Sequence, residues 1–124
     1  MATPLLGLRS GIHHVADLDA AKRWYADLLG TQPYFDEPFY VGFDVGGYEL
    51  GLNPDTSKVQ PGRGGAVLYW GVTDADAVFA RLLELGATEV EAVSDVGGGI
   101  RVAIVEDPFG NLFGIIENPH FKGG

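Results

Sequence analysis

Few side chains in this sequence can carry chemistry. The 124 residues contain no cysteine, which excludes disulfides, thiolate nucleophiles and thiolate metal sites. Three histidines are present. His13 and His14 are neighbours, and adjacent side chains on a strand face opposite ways, so the two cannot chelate one ion. His14 and Glu49 are the candidates for an acid–base pair, or Glu49 for a carboxylate that holds a cationic ligand. The plainer reading is a solvated imidazole at a strand end and a carboxylate on a rim. His13 reads as a packing residue and His120 as peripheral. Arg101 is placed either to reach an anion or to serve the surface. Gly97-Gly98-Gly99 is followed by no Lys-Ser/Thr, so it is not a phosphate loop. It reads as a flexible loop at a cavity mouth.

A unit that occurs twice must position these groups. Val15-Ala16-Asp17-Leu18-Asp19-Ala20 returns as Val72-Thr73-Asp74-Ala75-Asp76-Ala77, and Leu28-Leu29-Gly30 returns as Glu84-Leu85-Gly86. The stretch from Val45 to Pro54 is echoed from Pro108 to Ile116. Two repeats are too few for a solenoid and suit a fold in which each half covers the other. Strand patterning runs from Leu6 to Val15. Asp17 then caps a helix over Leu18–Leu28, which Gly30 ends. Tyr34-Phe35, Phe39–Val45 and Tyr48–Leu52 read as strands, with Gly46-Gly47 as a hairpin turn. Asn53 to Gly65 is a polar connector. The second half predicts a strand over Ala66–Val72, a helix from Asp74 to Gly86, and strands over Thr88–Val93, Ile100–Val105 and Leu112–Ile116. The order βαβββ, taken twice, predicts an α+β fold. Residues 1–124 are expected to form one domain, with repeat 1 at about 5–55 and repeat 2 at about 65–118.

Composition narrows the partners. Apolar residues make up 46% and charged residues 20%, as in soluble globular chains. The formal net charge of −9 argues against nucleic acid and favours cationic ligands through steering. The first residues lack a basic region and do not read as a signal peptide. No apolar run approaches the ~18 residues of a membrane span. The expectation is a cytoplasmic protein with a small-molecule ligand and no membrane partner.

Four motifs, in order and spacing, resemble the vicinal oxygen chelate superfamily: Val15-x-Asp17-Leu18-x5-Trp24-Tyr25-x3-Leu29-Gly30, Val72-x-Asp74, Leu85-Gly86-Ala87 and Asp107-Pro108-Phe109-Gly110-Asn111. That superfamily holds glyoxalase I, bleomycin-resistance proteins, fosfomycin-resistance enzymes and extradiol dioxygenases. The resemblance implies two βαβββ modules forming a curved mixed sheet around a cleft. It also implies a homodimer, in some relatives with exchanged halves. Metal-bearing members hold a divalent ion with His and Glu from the first and fourth strands of each half. Counted from the capping acids and the turn glycines, those four slots fall here on Ser10, Gly51, Val67 and Gly114. None is a competent ligand, because a divalent ion needs three or four imidazole or carboxylate donors.

Strand alternation from these slots turns Ile12 and His14, Glu49 and Asn53, Tyr69 and Gly71, and Leu112 and Ile116 toward the cleft. It sends His13 and Trp70 to the helix side. The expected ligand-binding set is Ser10, Ile12, His14, Glu49, Gly51, Val67, Tyr69, Leu112 and Gly114. No metal residue and no cofactor is expected. Tyr40, Tyr48 and Tyr69 are candidates to stack on a ligand, while Trp24 and Tyr25 read as core. The leading function is metal-independent binding of a small molecule, such as a cationic ligand or antibiotic, as in the bleomycin-resistance branch. One alternative is a lyase, isomerase or dioxygenase using zinc, nickel, manganese or iron, including a shifted site built on His14, Glu49 and a third donor. Another is a metal-free acid–base enzyme using His14 or Glu49.

Overall fold

Two aspartates start the two helices. Asp17 accepts the Ala20 N–H at 3.1 Å and caps α1 (Leu18–Leu29); Asp74 accepts the Ala77 N–H at 3.1 Å and caps α2 (Ala75–Glu84). Each bond satisfies a backbone donor that the first helical turn leaves free. The computed structural model describes residues 4, 6, 8–64 and 66–120. Leu5 and Gly7 in the N-terminal reading, Gly65 in the connector and Phe121 to Gly124 in the tail lie outside the described residues, as do Met1, Ala2 and Thr3.

The first half contains β1 (Ser10–His14), β2 (Phe35–Glu37), β3 (Tyr40–Val45) and β4 (Tyr48–Asn53), in the sheet order β1-β4-β3-β2. The second contains β5 (Tyr69–Gly71), β6 (Thr88–Asp95), β7 (Arg101–Glu106) and β8 (Leu112–Glu117), in the order β5-β8-β7-β6. β1 runs parallel to β4 and β5 parallel to β8, and the other pairs are antiparallel. The predicted α+β order, βαβββ twice, is therefore the observed one. Among the described residues no helix is long and apolar enough to cross a membrane.

Two strands are shorter than their patterning suggests. β1 starts at Ser10 because its partner β4 begins only after the Gly46-Gly47 turn, so the register opens at Ser10↔Glu49. Both turn glycines have positive φ, 60° and 91°, the backbone a tight hairpin requires. β5 covers only Tyr69–Gly71, because β8 is its one partner and the register begins at Tyr69↔Gly114. Val67 thus precedes the strand expected to carry it. It is half-buried in irregular chain.

The core lies between the sheets and the helices. Val15, Tyr25, Val41, Phe43, Leu50, Leu52, Leu82, Val105 and Ile115 are its large, fully buried members. Its most specific contacts cross between the halves. The Tyr25 hydroxyl donates to Asp107 Oδ2 at 2.6 Å, and Trp24 Nε1 donates to the Leu85 carbonyl at 2.7 Å. Asp107 Oδ1 accepts the Phe109 and Asn111 N–H groups, both at 2.9 Å. Asn111 Nδ2 in turn donates to the His14 carbonyl at 3.0 Å. His13 and Trp70 face the core, as alternation predicts, and both rings pack on Phe113. His13 Nε2 and Trp70 Nε1 are buried and have no hydrogen-bond partner among the described residues.

Replacing Tyr25 with Phe leaves the buried Asp107 carboxylate one donor short. Hydrogen bonds to charged groups contribute about 1.5–3 kcal/mol, so urea denaturation of Tyr25→Phe should show a loss of that order. Burial pushes the His13 imidazole below its ordinary value of 6.5, against the upward pull of Asp107. The unfolded chain then takes up a proton that the folded chain resists. The contribution of neutral His13 is complete above about pH 6.5 and is lost as pH falls below it. Stability measured across that window should fall on acidification, and His13→Phe should flatten the slope.

Candidate functional site

Cross-strand register builds the site on the face of the first sheet that turns away from the helices. Ser10 stands opposite Glu49, and Gly42 stands opposite Gly51. The Glu49 carboxylate collects hydroxyl donors from three directions. Ser10 Oγ donates to Oε1 at 2.7 Å, the Tyr40 hydroxyl to Oε1 at 2.6 Å, and the Tyr34 hydroxyl to Oε2. The tyrosine rings reach it because the sheet beneath them carries no side chains. A β-carbon at Gly51 would stand 2.6 Å from Tyr40 Cζ; one at Gly42 would stand 2.8 Å from Glu49 Oε2 and 3.2 Å from Tyr34 Cε1. Real β-carbons essentially never approach a neighbour under 3.0 Å.

Partial burial pushes the Glu49 carboxyl up, but the bonds from Tyr34, Tyr40 and Ser10 outweigh it and hold it below the usual range. Burial and the Glu49 contact push the Tyr40 phenol well above its ordinary value; the same carboxylate raises Tyr34. At neutral pH the cluster is one carboxylate surrounded by protonated phenols. Beside it opens a cavity of about 290 Å³ lined by Arg9, Ser10, Tyr34, Asp44, Tyr48 and Glu49. This wall is acidic and aromatic. Its one cationic group, Arg9, donates to the Leu6 carbonyl at 3.1 Å.

The other expected site residues divide into separate groups. His14 pairs in register with Asn53, four positions from the Ser10–Glu49 pair, or about 13 Å along the strand. Its Nδ1 lies 2.7 Å from the Asp55 carbonyl. His14 and Glu49 are therefore too far apart along the strand to share a proton or a ligand atom directly. Ile12 lies between the two on the same face and is 47% exposed. In the second half, the Tyr69 ring lies over Gly114, where a β-carbon would stand 2.8 Å from Tyr69 Cδ1. Leu112 and Ile116 are half-buried on that face.

Arg101 is taken up by Asp76, with contacts of 2.6 and 3.2 Å. Gly97 to Gly99 form the β6–β7 turn, where His120 Nε2 lies 2.6 Å from the Gly98 carbonyl. That loop lines neither the cavity beside Glu49 nor the one beside His14, contrary to its expected place at a cavity mouth.

The four slots that would hold a divalent ion in metal-bearing relatives do not fit one. Ser10 is committed to Glu49, tyrosine rings cover Gly51 and Gly114, and Val67 offers no donor. Among the described residues no three His, Asp or Glu side chains gather as a ligand set. The convergence of Tyr34 and Tyr40 on Glu49 is the part that patterning missed. Tyr34 lies outside a strand, where alternation gives no direction. The pairing of Gly42 with Gly51 becomes visible only once the register is known.

A family model described as the Glyoxalase/Bleomycin resistance protein/Dioxygenase superfamily matches residues 11–115. The uncharacterized protein Mb0911c of Mycobacterium bovis is 37% identical over 100 residues, covering 73% of this chain and 66% of that one. The uncharacterized protein Rv0887c of Mycobacterium tuberculosis is also 37% identical, over 73% of this chain and 59% of that one. The matched stretch is thus less than two thirds of the length of these relatives. Among solved structures, a glyoxalase-related enzyme from Fulvimarina pelagi matches with TM-score 0.79 at 22% identity, over 97% of this chain and 94% of that one. The oxidase ChaP-H2 matches with TM-score 0.68 at 23% identity, over 96% of this chain and 98% of that one. At this identity the structures share the fold.

Glu49→Gln removes the charge that raises Tyr34 and adds to the effect of burial at Tyr40. Ultraviolet titration should then show Tyr34 and Tyr40 ionising closer to the ordinary value of about 10. Gly51→Ala should move Tyr40 alone in the same direction, because the added methyl displaces its hydroxyl from Glu49.

Proposed function

Because the chain belongs to the glyoxalase/bleomycin resistance protein/dioxygenase superfamily, whose fold hosts several chemistries, we propose that it binds a small organic cation on its concave face without a resident metal ion. The observation that carries this reading is the Glu49 carboxylate, fixed by three hydroxyl donors beside an open cavity of about 290 Å³. The fixed carboxylate needs no reordering when a cation arrives, which lowers the cost of binding. Its hydroxyl donors are neutral, so the negative charge remains available to a ligand. Tyr34 and Tyr48 supply aromatic faces at the same cavity, suited to an ammonium or guanidinium group. Asp44 adds a second carboxylate, and the net charge of −9 steers cations toward the protein.

The reading favours binding over turnover, since Glu49 and His14 stand apart. A metal-dependent lyase, isomerase or dioxygenase would need donors that Ser10, Gly51, Val67 and Gly114 do not supply. A homodimer belongs to the same reading, on the family resemblance alone. A cytoplasmic setting suits a chain without cysteine.

Calorimetric titration with benzyltrimethylammonium in the presence of chelator tests the proposal, with benzyl alcohol as the uncharged control. Saturable binding of the cation is expected, weakening at high salt and falling about ten-fold or more in Glu49→Gln. Equal affinity for benzyl alcohol, indifference to Glu49→Gln, or binding that appears only with added divalent metal would overturn it.

A further inference from the structure

A second cavity, of about 210 Å³, opens at the other end of β1 and shares no lining residue with the first. Ile12 and Leu112 contribute from the two halves, Leu68 from the approach to β5, and Val59 from the connector. No Asp, Glu, Lys or Arg lines it. An uncharged occupant therefore fits here better than a charged one, which would find no counter-charge on the walls.

The polar edge carries the side chains of Asn111, Gln60 and His14. The Asn111 amide is already engaged: Nδ2 donates to the His14 carbonyl at 3.0 Å, and Oδ1 accepts the Gly62 N–H at 3.2 Å. His14 is not fully engaged. Its Nδ1 lies 2.7 Å from the Asp55 carbonyl oxygen, which can only accept. Nδ1 of the neutral ring must then carry the hydrogen, and Nε2 is left with a free lone pair. No hydrogen bond to Nε2 is formed among the described residues.

We propose that this cavity is a second binding site, for an uncharged one-ring molecule or ligand arm bearing a single hydroxyl or N–H donor that His14 Nε2 accepts. Size supports one ring, since an apolar cavity of about 150 Å³ is enough to hold benzene. The site rests on the concave face being a ligand surface, but not on Glu49.

The test is a methyl-resolved NMR titration of the full chain with p-cresol, and with toluene as the isostere lacking the hydroxyl. Saturable shifts from p-cresol are expected at the methyls of Ile12, Val59, Leu68 and Leu112. Toluene should bind about five- to ten-fold more weakly, the worth of one neutral hydrogen bond. His14→Phe should abolish that difference. Leu112→Phe, which fills the space while leaving the imidazole in the chain, should weaken both probes. Glu49→Gln should change neither, so failure of the cation site leaves this result intact. Equal wild-type affinities, shifts confined to methyls outside this cavity, no saturable shift, or full affinity in Leu112→Phe would each overturn the proposal.

Discussion

The hydrogen bond from Tyr25 to Asp107 holds the two halves in register. Asp107 is 2% exposed, so water cannot stabilise its charge, and the protein must supply every donor. One comes from a helix of the first half and two from the turn of the second. With Asp107 fixed, Asn111 is fixed, and its amide fastens the end of β1 and the connector at Gly62. The walls of the cavity beside His14 are therefore set by a contact within the core. The aromatic packing of Trp24, His13 and Phe113 around Tyr25 keeps that contact dry.

Glu49 is built by the same recipe and put to the opposite use. Like Asp107, it accepts three hydrogen bonds from neutral donors. Asp107 is enclosed, so its charge is spent on cohesion. Glu49 lies beside open volume, so its charge faces outward. What separates the two is the floor beneath them. Opposed glycines in β3 and β4 leave room for the tyrosine rings against the sheet, and their hydroxyls hold the carboxylate beside the open cavity.

Much of this was legible in the sequence, because the relevant signals are local. Asp17, Asp74 and Gly30 mark helix ends through bonds to residues three or four positions away. Alternation put Ser10, Ile12 and His14 on one face and His13 on the other, since a strand of period two needs no knowledge of its partner. The illegible parts depend on partners. β1 and β5 end where their neighbours end, which patterning within one segment cannot reveal. The gathering of Tyr34, Tyr40 and Ser10 on Glu49 joins four separate stretches of chain. The distance between His14 and Glu49 follows from the β1–β4 register, and residue type alone suggested a pair that the sheet keeps apart.

The tyrosine over glycine motif bears on how such a fold can evolve. Tyr40 covers Gly51 in one half, and Tyr69 covers Gly114 in the other. A carboxylate introduced at Gly51 would collide with the Tyr40 ring, while trimming Tyr40 by itself creates no donor. A side chain at Gly51 therefore has to displace the Tyr40 ring before it can occupy the concave face. The duplication repeats this pairing in the second half, where the Tyr69 ring and the Leu68 carbonyl stand against Gly114. The ring and the missing side chain are matched in both halves, so a change at either glycine is felt first by its tyrosine.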